Sequence, residues 1–271
     1  MVAVASLAVL ALLALTMIEA TRGSTRSARA ELDRAQLSAA ADAGVVLAVQ
    51  GLAQASAARR WRADGRLREV QFAGATIAIR IEDELGKVPL NQINEQQAEA
   101  LFSAFGLQGA ELEEARDAFL DWRDQDDDPR LRGRERADYA ADGVRPRDGP
   151  LRSNGELAAI PAIGPELAAR MAPYVTVFAP DSAQFAEGNA SPIARRVMAD
   201  SVFEDGFAGG VAVADGGLGT GEAARIDDGV TGRPLRIVVR ARGDDGSAAR
   251  RDVVVELTGN PARPYVIRSR E

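Results

Sequence analysis

Seven carboxylates crowd one stretch of the chain, Asp121, Asp124, Asp126, Asp127, Asp128, Glu135 and Asp138, and five arginines stand among them. Carboxylates brought this close repel one another unless a cation lies between them, and a set of hard oxygen ligands favours Ca²⁺. In a calcium-loop register Asp124, Asp126 and Asp128 take the first, third and fifth places and Glu135 the twelfth, with Asp138 just beyond. The sixth place needs glycine for its sharp turn, and Pro129 stands there, so a true EF-hand is not expected. The competing reading is an exposed loop in which Asp and Arg neutralise one another, as charge runs usually do. Spacing by itself leaves both readings open.

Other chemistry is excluded by missing residue types. The 271 residues include no His and no Cys, which removes the Ser/His/Asp triad, the cysteine nucleophile, the ordinary zinc site and any disulfide framework. Lys87 is the sole lysine, so a Walker A loop is ruled out and one residue remains for Schiff-base chemistry. Pairs such as Glu82 with Glu84 or Asp126 with Asp128 could be drawn as acid and base, but nothing converges on them, and no enzyme is expected. A net charge of −7 disfavours nucleic acid, whose binding draws on Lys and Arg displacing counterions from phosphates. Trp61 and Trp122 read as core or interface anchors.

The elements that must position the acidic stretch follow from the pattern around it. From Met1 to Ile18 the only polar side chains are Ser6 and Thr16, a run just long enough for a bilayer core of ~30 Å at ~1.5 Å per residue. A cleaved secretory signal would need a basic start, and no Lys or Arg precedes Arg22. Leu32, Leu37, Ala41, Val45, Val49 and Leu52 then recur at helical spacing, so one long helix is expected to leave the membrane and turn amphipathic. Residues 70–81 alternate as strands around a turn near Ala73 and Gly74. Short helices are expected over 98–105, 112–122, 155–160 and 165–172, an exposed Gly/Asp-rich loop over 203–228, and a hairpin from 235–241 and 252–257, with 265–268 as an added edge. The expected fold is α+β: a helix-plus-sheet head into which an α-helical domain is inserted. Its boundaries are a transmembrane segment at 1–18, its amphipathic continuation at 19–60, first strands at 61–85, the inserted domain at 86–190, and the rest of the head at 191–271.

Several segments carry a resemblance. Asp83-Glu84-Leu85-Gly86-Lys87-Val88-Pro89-Leu90-Asn91 is similar to a D-E-x-G-K-(I/L)-N-L-N signature, departing at Pro89. Leu120-Asp121-Trp122-Arg123-Asp124-Gln125-Asp126-Asp127, followed by Gly133-Arg134-Glu135 and Tyr139, is similar to L-x-D-W-x-D-x-D-D with a later G-A-E and Tyr. Glu156 to Gly164 and Met171 to Val177 match a third run, and Gly188-Asn189-Ala190-Ser191-Pro192 matches a fourth more weakly. In this order, behind an apolar helix, they resemble the general secretion pathway protein K family, the large minor pseudopilin of type II secretion systems.

The resemblance implies a type IV pilin-like fold, a long N-terminal helix packed on a small antiparallel sheet, with an inserted α-domain that binds calcium. Asp124, Asp126 and Glu135 are the best matches to its motif, and Asp128 and Asp138 complete the candidate set. It further implies a single-pass inner-membrane protein with its C-terminal part in the periplasm, placed at the pseudopilus tip. The implied partners are the smaller minor pseudopilins, the major pseudopilin, the inner-membrane secretion platform and secreted substrate. Family precursors carry a short basic leader before the apolar run, and this sequence opens inside that run; Ala5 or Ser6 stands where most pseudopilins have Glu, an absence common in this family. The alternative is a membrane-anchored DNA-uptake protein, because residues 157–166 resemble a helix-hairpin-helix. Pro165 removes an amide donor there and Glu166 adds negative charge, so a tight turn between packed helices is the preferred reading.

Overall fold

The computed structural model describes residues 2–54, 56–140, 143–199, 230–260 and 262–270, with side chains from 27 onward. The Gly-rich loop expected over 203–228 lies outside the described residues. Helix α1 (Val2–Leu52) is continuous from the apolar run into the amphipathic stretch. Its apolar start is a candidate single membrane anchor. Ser27–Leu52 is also long and apolar enough to span a bilayer, at mean hydropathy 1.3, but half of its most apolar stretch is buried within the protein, as befits a core helix.

Strands follow in hairpins. The pair β1 (Asp64–Phe72) and β2 (Ala75–Asp83) is joined by Ala73 and Gly74, with φ of 50° and 80°. Positive φ at both turn residues matches the right-handed twist of the flanking strands, the geometry of the tightest hairpins. After the short β3 (Val88–Pro89) come helices α2 (Glu95–Ala104), α3 (Gly109–Arg123), α4 (Arg136–Tyr139) and α5 (Gly164–Met171), then β4 (Val175–Thr176) and α6 (Pro192–Ala199). The chain closes with β5 (Pro234–Arg242), β6 (Ala248–Asn260) and β7 (Arg263–Arg270). The main sheet runs β1-β2-β5-β6-β7, so the early and late strands share one sheet and β7 is its edge.

Two compact units divide the chain, one of Met1–Ile81, Arg236–Val254 and Ser269–Glu271, the other of Glu82–Leu235 and Val255–Arg268. In the first, Leu37, Ala40, Ala41, Val45, Ala48, Val49 and Leu52 form one buried face of α1, and the alternating Ile77, Ile79, Ile237 and Val239 are fully buried. Gly44 permits the close approach: a Cβ there would lie 2.5 Å from Val239 Cγ1 and 2.9 Å from Ile77 Cγ2. Asp42 on α1 pairs with Arg251 of β6 at 2.8 Å and Arg270 of β7 at 2.7 Å.

The second unit has its own core, which includes Phe102 and Phe119 edge to face at 5.7 Å and Trp122 and Tyr139 likewise at 5.6 Å. The segment expected to be purely helical also holds a parallel two-stranded ladder, β3 with β4. Pro89 fits there because the ladder draws on its neighbours: Val88 N–H donates to Tyr174 O and Leu90 N–H to Thr176 O, both at 2.8 Å. A residue without an amide hydrogen loses nothing at the alternate position.

The quoted motifs converge on this ladder. Lys87 Nζ, buried, binds Glu84 Oε1 at 2.6 Å and Glu82 Oε2 at 3.0 Å. The other Glu84 oxygen accepts from Thr176 Oγ1 at 2.5 Å. Asp83 accepts from Asn189 Nδ2 at 2.9 Å and from Leu85 N–H at 3.0 Å, and it pairs with Arg233. A Cβ on Gly86 would lie 2.8 Å from Asn189 O. The first, third and fourth motifs therefore serve one buried polar network whose charges are paired, as buried charges must be.

Candidate functional site

The acidic stretch is built where α3 ends. Its last turns carry Asp117 and Asp121 inward, both buried, and Asp124 ends the helix in extended backbone, its N–H on Leu120 O at 3.1 Å. The chain then loops out to residue 135 and returns into α4, whose Asp138 accepts from Glu135 N–H at 3.0 Å. Arg130 spans the loop: its Nη1 reaches Asp121 Oδ1 at 2.5 Å and Asp124 Oδ2 at 2.7 Å, and its backbone N–H donates to Asp121 Oδ2 at 3.1 Å. Gly133 closes a turn onto Arg130 O at 3.0 Å and packs so closely that a Cβ would lie 1.7 Å from Asp121 Oδ2.

Oxygens of Asp124, Asp126 and Glu135 come together here, all within 4.8 Å of one another. Two other expected ligands stand apart from this group. Asp128 is exposed, and its N–H donates to Asp126 Oδ1 at 3.1 Å, so it shapes the turn that presents Asp126. Asp138 is spent on the Glu135 amide. An EF-hand register would have set Asp128 beside Asp126; the Arg130–Gly133 turn leads the chain another way.

The electrostatics of the group are those of a site that wants a cation. Glu135 is 4% exposed, and neither of its oxygens has a hydrogen-bond partner. Burial first, then the charges of Asp121, Asp124, Asp148 and Asp126, push its pKa up to about 7. Asp124 Oδ1 and Asp148 Oδ1 are likewise buried without partners. Burial also raises Asp121 above the ordinary carboxylate range, partly offset by Arg130. Burial pulls the Arg130 guanidinium down, but the hydrogen bonds it donates to Asp124 and Asp121 more than offset this and hold it charged. Orphaned buried carboxylate oxygens in one group fit a hard divalent cation, and the all-oxygen donor set fits Ca²⁺.

Sequence reasoning passed over Arg130, Asp148 and the buried Asp117, which accepts from Arg132 N–H at 3.2 Å and pairs with Arg116 at 2.8 Å. Asp121 had a visible signal, since it lies three residues before Asp124 and so on the same helical face. Asp148 had none, because its approach depends on how the chain returns after α4. The 157–166 hairpin is a packed turn, with Leu157, Ile160, Ile163 and Leu167 all buried.

Residues 80–180 match the family model of the type II secretion system protein K. In fold the chain is similar to one in the crystal structure of the GspK-GspI-GspJ complex from the enterotoxigenic Escherichia coli type 2 secretion system. The TM-score is 0.64 at 15% identity, over 90% of this chain and 98% of that one. No curated protein sequence matches. The chain thus shares its fold, a long helix on a strand sheet with a helical unit, with a chain of that complex, and residues 80–180 carry the similarity to protein K of type II secretion systems.

Proposed function

We propose that the chain works at the tip of a type II pseudopilus, assembling with the smaller minor pseudopilins to start the filament and support export of folded proteins. Its apolar start would anchor it in the inner membrane, with the remainder in the periplasm facing the major pseudopilin, the secretion platform and secreted substrate. The carrying observation is the protein K match over 80–180, supported by the likeness to a chain solved in complex with GspI and GspJ. Calcium would be held by Asp124, Asp126 and Glu135, its charge relieving the repulsion among them and fixing the loop from α3 to α4.

The direct test is export in a strain deleted for this gene and in the same strain complemented. Exported enzymes retained in the periplasm and released on complementation support the proposal; unchanged export of demonstrably active cargo overturns it. For the metal, calcium should raise the melting temperature of the full chain in detergent micelles, and a melt unaltered by exhaustive chelation counts against the site.

A further inference from the structure

We propose that Arg130 is a positioning residue for the cation site, an internal cation that closes the loop and aims Asp124 before any metal arrives; this rests on the calcium reading above. Asp124 is shared: Oδ2 is held by Arg130 Nη1 at 2.7 Å, Oδ1 is buried without a partner, and the carboxylate brings one oxygen within 4.8 Å of oxygens of Asp126 and Glu135. The same nitrogen grips Asp121, whose side chain is fully buried, so Nη1 is held between two carboxylates of which one is fixed in the core. Its backbone N–H on Asp121 and its carbonyl under Gly133 N–H tie the middle of the loop to α3 as well. Without it, Asp124 would face Asp121, Asp126 and Glu135 with no intervening charge and would swing toward solvent. Pre-arranged ligands bind more tightly because the ordering is already done.

A positioning role and a plain counter-charge predict opposite signs. Removing a nearby positive charge should by itself tighten cation binding, whereas removing a positioning group should weaken it. The experiment is calorimetric titration of CaCl₂ into the full-length chain in detergent micelles, for wild type, Arg130→Gln, Arg130→Lys, Arg132→Gln and Glu135→Gln. Arg132 pairs with Glu113 at 2.6 Å, so Arg132→Gln removes equal charge from the same loop without touching Asp124.

The expected result is binding weakened about tenfold or more by Arg130→Gln, the range seen when groups that orient metal ligands are lost. Arg130→Lys should weaken it too, since a strongly hydrated ammonium on a flexible stem holds the two carboxylates less firmly than the planar guanidinium, and Arg132→Gln should leave it unchanged or slightly tighter. Binding by Arg130→Gln as tight as wild type or tighter would overturn the proposal. Should that variant fail to fold, wild-type affinity in Arg130→Lys would overturn it equally. A wild-type chain that takes up no calcium, or a Glu135→Gln chain that binds like wild type, would remove the calcium reading itself.

Discussion

At the scale of single residues, the chain places its charges where burial makes them matter. Glu135 titrates near pH 7 when folded and near 4.5 when free, so between those values the folded, calcium-free protein binds the extra proton. Its stability should therefore fall as pH rises through that window. Calcium competes with the same proton, so affinity should rise over the same range and offset the loss. Melting temperatures of calcium-stripped wild type and Glu135→Gln from pH 4.5 to 7.5 check this; parallel curves would refute it. A second prediction concerns Glu84, fully buried between Lys87 and Thr176. Glu84→Ala should cost about 3–5 kcal/mol in denaturant unfolding, because Lys87 would lose a buried partner. The candidate ligands were legible as residue types, and Asp124, Asp126 and Glu135 do meet. That Asp128 and Asp138 stand apart was not legible, because it depends on which carboxylates answer backbone amides within the loop.

At the scale of elements, periodicity carried most of the information. The alternation around Ala73 and Gly74 located the first hairpin, and the Gly/Asp-rich interval between 241 and 252 located the second, because strand period and turn chemistry are both local. The β3–β4 ladder escaped, since two residues of strand make no pattern and Pro89 argues against one until its neighbours' hydrogen bonds are seen. Close approach is equally silent in sequence. Gly44→Leu would push a side chain into Val239 and Ile77 and should lower stability by about 1–3 kcal/mol, read as a drop in melting temperature. Gly133→Ala should do comparable harm, because a Cβ beside Asp121 forces the turn or the buried carboxylate to move.

For the whole molecule, one continuous helix joins the apolar run to the buried face beneath the sheet. Deleting residues 2–18 should therefore release the protein from membranes, and carbonate extraction would show it in the soluble fraction; retention in the pellet would deny the anchor. The order of elements was readable because each has its own period, and it placed the late strands beside the early ones. Another consequence belongs to Lys87, the sole lysine, shut between Glu82 and Glu84. Every other basic side chain is a guanidinium, so the folded protein offers no side-chain amine to acylating reagents. Lysine-directed cross-linking would pass over the folded chain's side chains, and acylation of Lys87 would instead record the opening of the segment that begins at Asp83.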